Sequence, residues 1–326
     1  MKQSPLENIR KIEPRDFPEL LKQIPDPPRL LYTCGNTDLL HTSELGGADQ
    51  VHYICIVGSR RYTRYGENIC KTLIQGLAGL PVIIVSGLAL GIDAIAHRAA
   101  LDAGIMTIAV PGSGLHPDVL YPRSHFMLAE EIVEKGGLLL SEYEPMTRAS
   151  PWSFPMRNRI MAGMSHAVLI IEAENDSGTL ITARLGLDYN RNIGAVPGSI
   201  LSENSSGTNN LIKKGATVIT SVEDLKEFLG FPTEDNVEGA DSSGRPTRKR
   251  NKWEVNPYEN CSSEELTLLE LMYEPQTRDS LLGLSGLPLS QLQVVLSMLE
   301  LRGLTNEAYG QVALRYPPPS AILRKT

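Results

Sequence analysis

The sequence predicts an α/β protein built on a doubly wound, mostly parallel sheet, with a small winged helix domain behind it. Three observations predict this. From residue 53 to about 230, short apolar runs alternate with longer amphipathic stretches. Several of those runs carry β-branched residues at successive rather than alternate positions, as strands covered on both faces do. After a break rich in Pro, Gly, Ser and charge come three short helical patterns and a hairpin-like segment.

The first 50 residues read as a short N-terminal extension. Asp26-Pro27-Pro28 breaks any helix, and Leu30-Leu31-Tyr32 then reads as a short strand. Too small to bury a core of its own, this piece is expected to pack against the domain that begins near residue 51. Within 51–230 the predicted strands are 54–58 (ICIVG), 82–87 (VIIVSG), 106–110 (MTIAV), 138–142 (LLLSE), 167–173 (AVLIIEA) and 192–196 (NIGAV). Helices are predicted over 65–77, 92–103 and 126–134. Strand–helix–strand repetition at this spacing makes a doubly wound α/β domain.

Residues 231–259 read as a flexible linker. Within it, 245–252 (RPTRKRNK) holds five basic residues and no acid, as either a solubilising tether or an arm that touches nucleic acid. Residues 260–316 form the winged helix. Its first helix runs from about 263 to 273, capped by Ser262 or Ser263, with Glu264 and Glu265 in the first turn. A second begins near Thr277. The third starts after Pro288 and lines up Leu292, Val295, Leu296 and Leu299 on one face. Arg302-Gly303 ends it, and a hairpin runs from Leu304 through Val312-Ala313-Leu314.

Composition bounds the function. Hydrophobic residues make up 41% and charged residues 21%, a globular balance. A net charge of −7 argues against a basic coat over the whole surface. It leaves room for a local groove, because 51–230 holds 15 basic and 17 acidic residues, and ten of the basic ones are Arg. The four cysteines (Cys34, Cys55, Cys70, Cys261) lie far apart, with neither disulfide nor zinc spacing. No apolar h-region opens the chain and no 18-residue apolar run occurs. The expectation is a soluble, cytoplasmic protein without membrane association, metal or cofactor.

The chemistry concentrates at strand ends. Gly58 permits a tight turn after the first buried strand, and the next N–H groups meet a helix N-terminus, which favours an anion. Ser59 adds a hydroxyl, and Arg60, Arg61 and Arg64 add planar donors suited to phosphate. Both the GxGxxG fingerprint and a Walker lysine are missing. After the second strand, Ser86-Gly87 and Gly91 again bring N–H groups to a sheet edge. Asp93 and His97 stand i, i+4 on the next helix, either as a catalytic dyad or, as is commoner, as an Asp that satisfies backbone donors with a His bonded to it. The loop after the third strand carries His116, Arg123 and His125, which read as polar loop residues. Arg157-Asn158-Arg159 is expected to precede a helix, and Ser177-Gly178-Thr179 to open another. Together these turns describe an elongated phosphate-binding surface and not one nucleotide pocket.

At this point the residues resemble the DNA-processing protein A family (DprA, also called Smf). The resemblance rests on GSR (58–60), SGLALGIDAIAH (86–97), PGSGLHPDVLYP (111–122), FPMRNRIMAGMS (154–165), ENDSGTLITA (174–183), and VPGS with GTNNLIKKGA in 196–216. Six motifs in order, covering about 15–230 without a gap, are highly specific. The resemblance implies an extended Rossmann-like domain that binds and protects single-stranded DNA, forms homodimers and loads RecA recombinase during natural transformation and homologous recombination. It implies no catalytic reaction. Carried over by motif, Arg60 holds backbone phosphate, with Gly58, Ser59 and the Ser86-Gly87 amides beside it. Arg123 occupies an often basic position. Arg157, Asn158 and Arg159 match an RNR motif, Ser177, Gly178 and Thr179 a second turn, and Lys213 extends the groove.

Two departures bear on function. Many relatives carry a longer N-terminal helical domain than the 50 residues here. The third helix of the winged helix domain has Arg302 as its one basic residue, whereas reading the major groove needs phosphate-anchoring Lys or Arg around such a helix. This domain therefore reads as a protein-interaction or regulatory unit first. Tyr62, Tyr65, Tyr121 and Trp152 can stack on bases or simply pack, and low sequence specificity is expected.

Two other readings compete. Nucleoside-monophosphate phosphoribohydrolases of the same superfold carry a PGGxGTxxE turn whose Glu works at the ribose. Aligning its Gly-Thr with Gly178-Thr179 places Thr182 where that Glu belongs, and Glu172 and Glu174 lie before the turn. A scaffold that holds a recombinase without touching DNA would leave the arginines solvated. Among the candidate dimer surfaces is the region 186–192.

Overall fold

The computed structural model describes residues 4–41, 51–231, 261–272, 276–302, 304–308 and 311–314. The chain divides into two compact units, Met1–Val237 and Glu238–Thr326.

In the first unit the six expected strands all form: β3 (His52–Val57), β4 (Val82–Ser86), β5 (Met106–Ala109), β6 (Leu138–Ser141), β7 (Ala167–Ile170) and β8 (Asn192–Ala195). With β1 (Arg10–Ile12), β2 (Leu31–Gly35) and β9 (Thr217–Val218) they make one nine-stranded sheet, in the order β1-β2-β6-β5-β4-β3-β7-β8-β9. From β6 to β9 all neighbours are parallel, while β2 is antiparallel to both β1 and β6. Alternation along β3 explains why its run is apolar throughout. Tyr53, Cys55 and Val57 enter one core, and Ile54 and Ile56 enter the other.

One core is closed by α2 (Arg64–Gln75) and α3 (Ile92–Asp102), which contribute Cys70, Leu73, Ile74, Ile92 and Ile95. The other is closed by α5 (Ser153–Met164) and α6 (Thr179–Asp188), through Ile160, Met161 and Ala183. Each fully buried Leu or Ile contributes about 1.5–3 kcal/mol. The short α1 (Glu19–Lys22) and α4 (Phe126–Glu134) complete the layers, with α7 (Glu203–Lys213) and α8 (Val222–Phe228).

The N-terminal segment does more than pack against the domain. β2 hydrogen-bonds to β6 and carries β1 outside it, while Phe17, Leu21 and Ile24 enter the same core as Ile160. The strand expected over 30–32 begins at Leu31 and continues to Gly35, whose φ of +115° and contact with the Gly137 carbonyl admit only glycine.

Strand order sets the position of the site. The chain winds outward from β3 to β6, then crosses back to lay β7 on the other side of β3. The crevice outside the carboxyl ends of β3 and β7 is the topological switch point, where open α/β sheets bind ligands.

In the second unit the order is α9 (Ser263–Leu271), β10 (Gln276–Thr277), α10 (Arg278–Ser285), α11 (Leu289–Leu301), β11 (Thr305–Ala308) and β12 (Gln311–Leu314). Strands pair as β10-β12-β11. This is the order of a winged helix, with a two-residue strand that the sequence pattern did not reveal. Ser262 caps α9 in a reciprocal box with Glu265, and Leu268, Leu269, Leu281, Leu292, Leu296 and Leu299 form the core. The basic stretch 245–252 lies outside the described residues. No single helix among the described residues is long and apolar enough to cross a membrane.

Candidate functional site

A cleft of about 640 Å³ opens at the switch point. Its walls are the turn after β3 (Gly58 to Arg61), Ala89 and Asp93 at the start of α3, one face of α5, and the N-terminus of α6. Gly58 lets the chain turn here because a Cβ would strike the side chain of Ile92, so β3 and α3 approach closely. Thr179 donates from Oγ1 to the Gly58 carbonyl at 3.1 Å and ties α6 to the end of β3. The N-cap of α6 is Gly178, which offers no side-chain cap, and open space surrounds the position of its missing Cβ. The positive end of that helix faces the cleft, with the Thr179 N–H donating to the Ser177 hydroxyl at 3.2 Å and the Leu180 N–H to the Ser177 carbonyl at 3.0 Å.

Ser59 is buried, and its hydroxyl accepts the Arg61 N–H at 3.0 Å. That bond tightens the turn and throws Arg60 and Arg61 outward, both exposed. The Arg60 guanidinium lies 5.1 Å from the centroid of the Phe154 ring, a cation–π contact that leaves its N–H edges free to bond. The Arg61 carbonyl accepts from Asn204 Nδ2 at 2.6 Å, which braces the loop from the side of α7. Behind it, Glu172 accepts both the N–H and the hydroxyl of Thr63, at 2.9 and 2.6 Å, and fixes the start of α2.

The floor of the cleft is a buried pair of opposite charges. Arg157 is 4% exposed and donates from Nη1 to the Val110 carbonyl. Its guanidinium lies on Gly87 where a side chain would otherwise stand. Asp93, 6% exposed, accepts the Gly87 N–H at 3.1 Å. Burial pushes the Asp93 carboxyl up, and Arg157 with the Ala89 and Gly87 N–H groups pulls it back. Burial likewise pulls the Arg157 guanidinium down against the attraction of Asp93.

The structure sorts the expected contact residues. Gly58, Ser59, Arg60, Arg157, Asn158, Ser177, Gly178 and Thr179 come together in the cleft. Ser86 does not reach it: its hydroxyl is fully buried and donates to the Ile56 carbonyl at 2.7 Å. The Gly87 N–H serves Asp93 in the same internal way. Arg159 points elsewhere because Arg157-Asn158-Arg159 lies inside α5 and not ahead of it. Pro155 occupies the first turn, where its lack of an N–H costs nothing, so the helix starts at Ser153. Residues two apart on a helix face roughly 200° apart, and Arg159 pairs with Glu142 and, at 3.6 Å, with Asp26. Arg123 is exposed beside the cleft, over the Phe126 ring at 4.8 Å, and donates to the Pro117 carbonyl. Lys213 ends α7 and so sits at the amino edge of the sheet, opposite the cleft.

Asp93 and His97 form no dyad. His97 is fully buried with Nδ1 2.7 Å from Thr107 Oγ1. The Thr107 hydroxyl donates to the Ile84 carbonyl, so it accepts from His97 Nδ1–H. Burial pulls this imidazole down to about 3. Among the described residues, no group of three or more His, Cys, Asp or Glu comes together to hold a metal ion. Sequence reasoning missed Phe154, the ring beneath Arg60. Its one signal was an aromatic three residues before the arginine cluster at the start of a helix.

The model of the family DNA recombination-mediator protein A matches residues 8–230. Protein Smf of Synechocystis is 34% identical over 313 residues, covering 90% of this chain and 77% of that protein. The crystal structure of DNA processing protein A from Streptococcus pneumoniae superposes with a TM-score of 0.62 at 37% identity, covering 70% of this chain and 77% of that one. DNA processing protein A from Helicobacter pylori, whose structure was described for its mode of binding single-stranded DNA, gives 0.60 at 34% identity over 68% of this chain and 95% of that one. The matched span runs from before β1 to beyond α8 and takes in every wall of the cleft, and the chain accordingly belongs to the DNA recombination-mediator protein A family, the DprA/Smf proteins.

Proposed function

We propose that this chain binds single-stranded DNA through the switch-point cleft, protects it, and as a cytoplasmic homodimer passes the strand to RecA recombinase in transformation or recombination. One observation carries the binding reading: two exposed arginines, Arg60 and Arg61, stand in the same cleft as the positive N-terminal end of α6. Arginine forks and helix N–H groups are the donors that phosphate oxygens take. In this reading Arg60, Arg61, Ser177, Gly178 and Thr179 hold backbone phosphate. Gly58 and Ser59 shape the turn, Asn158 lines the wall and Arg157 charges the floor. The relatives named for DNA processing support the choice of ligand.

The site reads as a binding surface and not a hydrolase. Thr182, buried in the cleft, carries no carboxylate, Glu172 is committed to Thr63, and Glu174 is exposed at the rim. For the homodimer, the support is the amino edge beyond β8, where Leu187 is 57% exposed and a second crevice of about 590 Å³ is lined by Arg191 and Lys214.

The test is fluorescence anisotropy of a labelled oligo-dT with wild type and Arg60→Ala at two salt concentrations. Salt-sensitive binding that the substitution weakens supports the cleft. Absence of binding by wild type rejects it, and nucleotide hydrolysis is then the activity to assay.

A further inference from the structure

The second unit turns an uncharged helix face to solvent. On α11, Leu292, Leu296 and Leu299 enter the core of the unit. The opposite stripe, Ser290, Val294, Ser297 and Met298, recurs at i, i+4, i+7 and i+8 and is exposed throughout. Val294 is 63% exposed and Met298 43%. Glu300 flanks the stripe and is exposed as well.

This helix holds the place of a DNA reader in a winged helix and lacks the means. Its first and last turns carry no basic residue, and Arg302 at the C-cap bonds Glu265 at 3.1 Å. Glu300 would repel phosphate. What the face does offer is two apolar side chains set between serines, small enough to let a second helix approach closely.

The ends of α11 identify that second helix. Its N-cap is Pro288, which gives no side-chain cap, and no acid stands in the first turn. At the other end no base offsets the negative pole, and Glu300 adds a negative charge to it. Both poles are therefore uncompensated. An antiparallel helix of the same sequence corrects both, because each Glu300 then lies beside the positive end of the other. Such two-fold pairing needs only one kind of surface.

We propose that α11 is a self-association surface, on which a second copy of this chain lays its own α11 antiparallel, with Val294 beside the two-fold axis. Ser290 and Ser297 let the backbones come together, Val294 and Met298 fill the contact, and Glu300 sets the direction. A single helix pair falls short of the roughly 1,200 Å² of a stand-alone interface, so the contact is weak and is read best by trapping it. The pairing is independent of strand binding by the first unit.

Three native cysteines are buried and Cys261 is half-buried, so one substitution clears the background. Full-length Cys261→Ser protein carrying Val294→Cys, and separately Ser290→Cys, is oxidised with copper phenanthroline and resolved by non-reducing electrophoresis. In the antiparallel pair the two copies of position 294 face each other. The two copies of position 290 stand roughly 13 Å apart along the helices, beyond the ~7 Å that a disulfide spans. Val294→Cys should therefore form the covalent dimer on the order of tenfold faster than Ser290→Cys. Adding Glu300→Lys to Val294→Cys should slow trapping about two- to fivefold, with Glu300→Gln between. Circular dichroism melting verifies that the variants fold, their positions on α11 all being exposed. Equal rates at 290 and 294 indicate collision or a parallel pair, and no dimer at either leaves α11 unpaired; each result overturns the proposal. A rate that Glu300→Lys does not change overturns the antiparallel direction.

Discussion

Arg157 and Arg159 stand two residues apart on α5 and share no surface. Arg157 bonds the Val110 carbonyl on the cleft floor, and Arg159 pairs with Glu142 and Asp26 on the far side of the helix. A single motif thus supplies one cation to the site and one to the scaffold. The two substitutions should separate accordingly. Arg159→Ala leaves Glu142 without its buried partner and should cost about 1–3 kcal/mol in urea unfolding, while the salt dependence of oligonucleotide binding stays that of wild type. Arg157→Ala removes the donor to the Val110 carbonyl and the positive charge that steadies the buried Asp93, and should cost about 1–3 kcal/mol, with weaker binding as well.

Arg60 and Arg61 are exposed, and neither substitution should change stability by more than about 0.5 kcal/mol. Each removes a phosphate contact. The log–log slope of affinity against salt should become shallower by about 0.7 for each one lost on single strands. The loss should be equal for oligo-dT, oligo-dC and mixed sequences, since phosphate contacts position a strand without reading it. Anisotropy titrations at three or more salt concentrations measure both features, and a sequence-selective loss would contradict the assignment of these arginines to phosphate.

The extent to which the sequence disclosed this molecule depended on range. Strands buried on both faces announce themselves locally, so 54–58, 82–87, 106–110, 138–142, 167–173 and 192–196 each found a place in the sheet. β9 has two residues, both exposed, and carries no such pattern. β1 has one half-buried residue in three. The site was legible as a set of loops because helices start and strands end at one edge of a parallel sheet. What each side chain does there was not. Ser86 and Gly87 face inward because Asp93, six residues beyond Gly87, returns to the same turn. Arg159 faces away because α5 begins four residues before Arg157, through a proline that it tolerates. Both facts depend on where a helix starts, and single-residue shifts there rotate a side chain by roughly 100°.

Thr63 links the fold to the site. Its side chain caps α2 by accepting the Gly66 N–H at 3.2 Å and donates to Glu172, and Arg60 and Arg61 stand within three residues of it. Replacing it by alanine removes the cap and leaves one Glu172 oxygen unpaired in a buried position. Thr63→Ala should lower stability by about 1–2 kcal/mol. It should also weaken oligonucleotide binding modestly, because the turn that presents the arginines loses its anchor. Thr63→Ser, which keeps the hydroxyl, should restore both. Denaturant unfolding and anisotropy on the same samples check the pairing.

Acid should destabilise the first unit through two histidines held neutral. His166 accepts the Tyr53 N–H on Nδ1 at 3.0 Å, so its proton resides on Nε2 and a second proton would break that bond. Burial pulls it down to about 4, and repulsion from His52 and Arg191 adds to this. Burial pulls His97 to about 3. In the unfolded chain both titrate near 6.5, so as pH falls through 6.5 the unfolded state takes up protons that the native state refuses. Stability therefore falls between about pH 6.5 and 4 for His166, and on to about 3 for His97, and is level with respect to each below its folded value. Asp93, whose carboxyl is raised by burial, acts with the opposite sign and partly offsets the trend at the acid end. His166→Asn keeps an acceptor in place of Nδ1 without a titrating ring. Its melting temperature should decline less than that of wild type between pH 7 and pH 5, and equal slopes over that interval would remove His166 from the account.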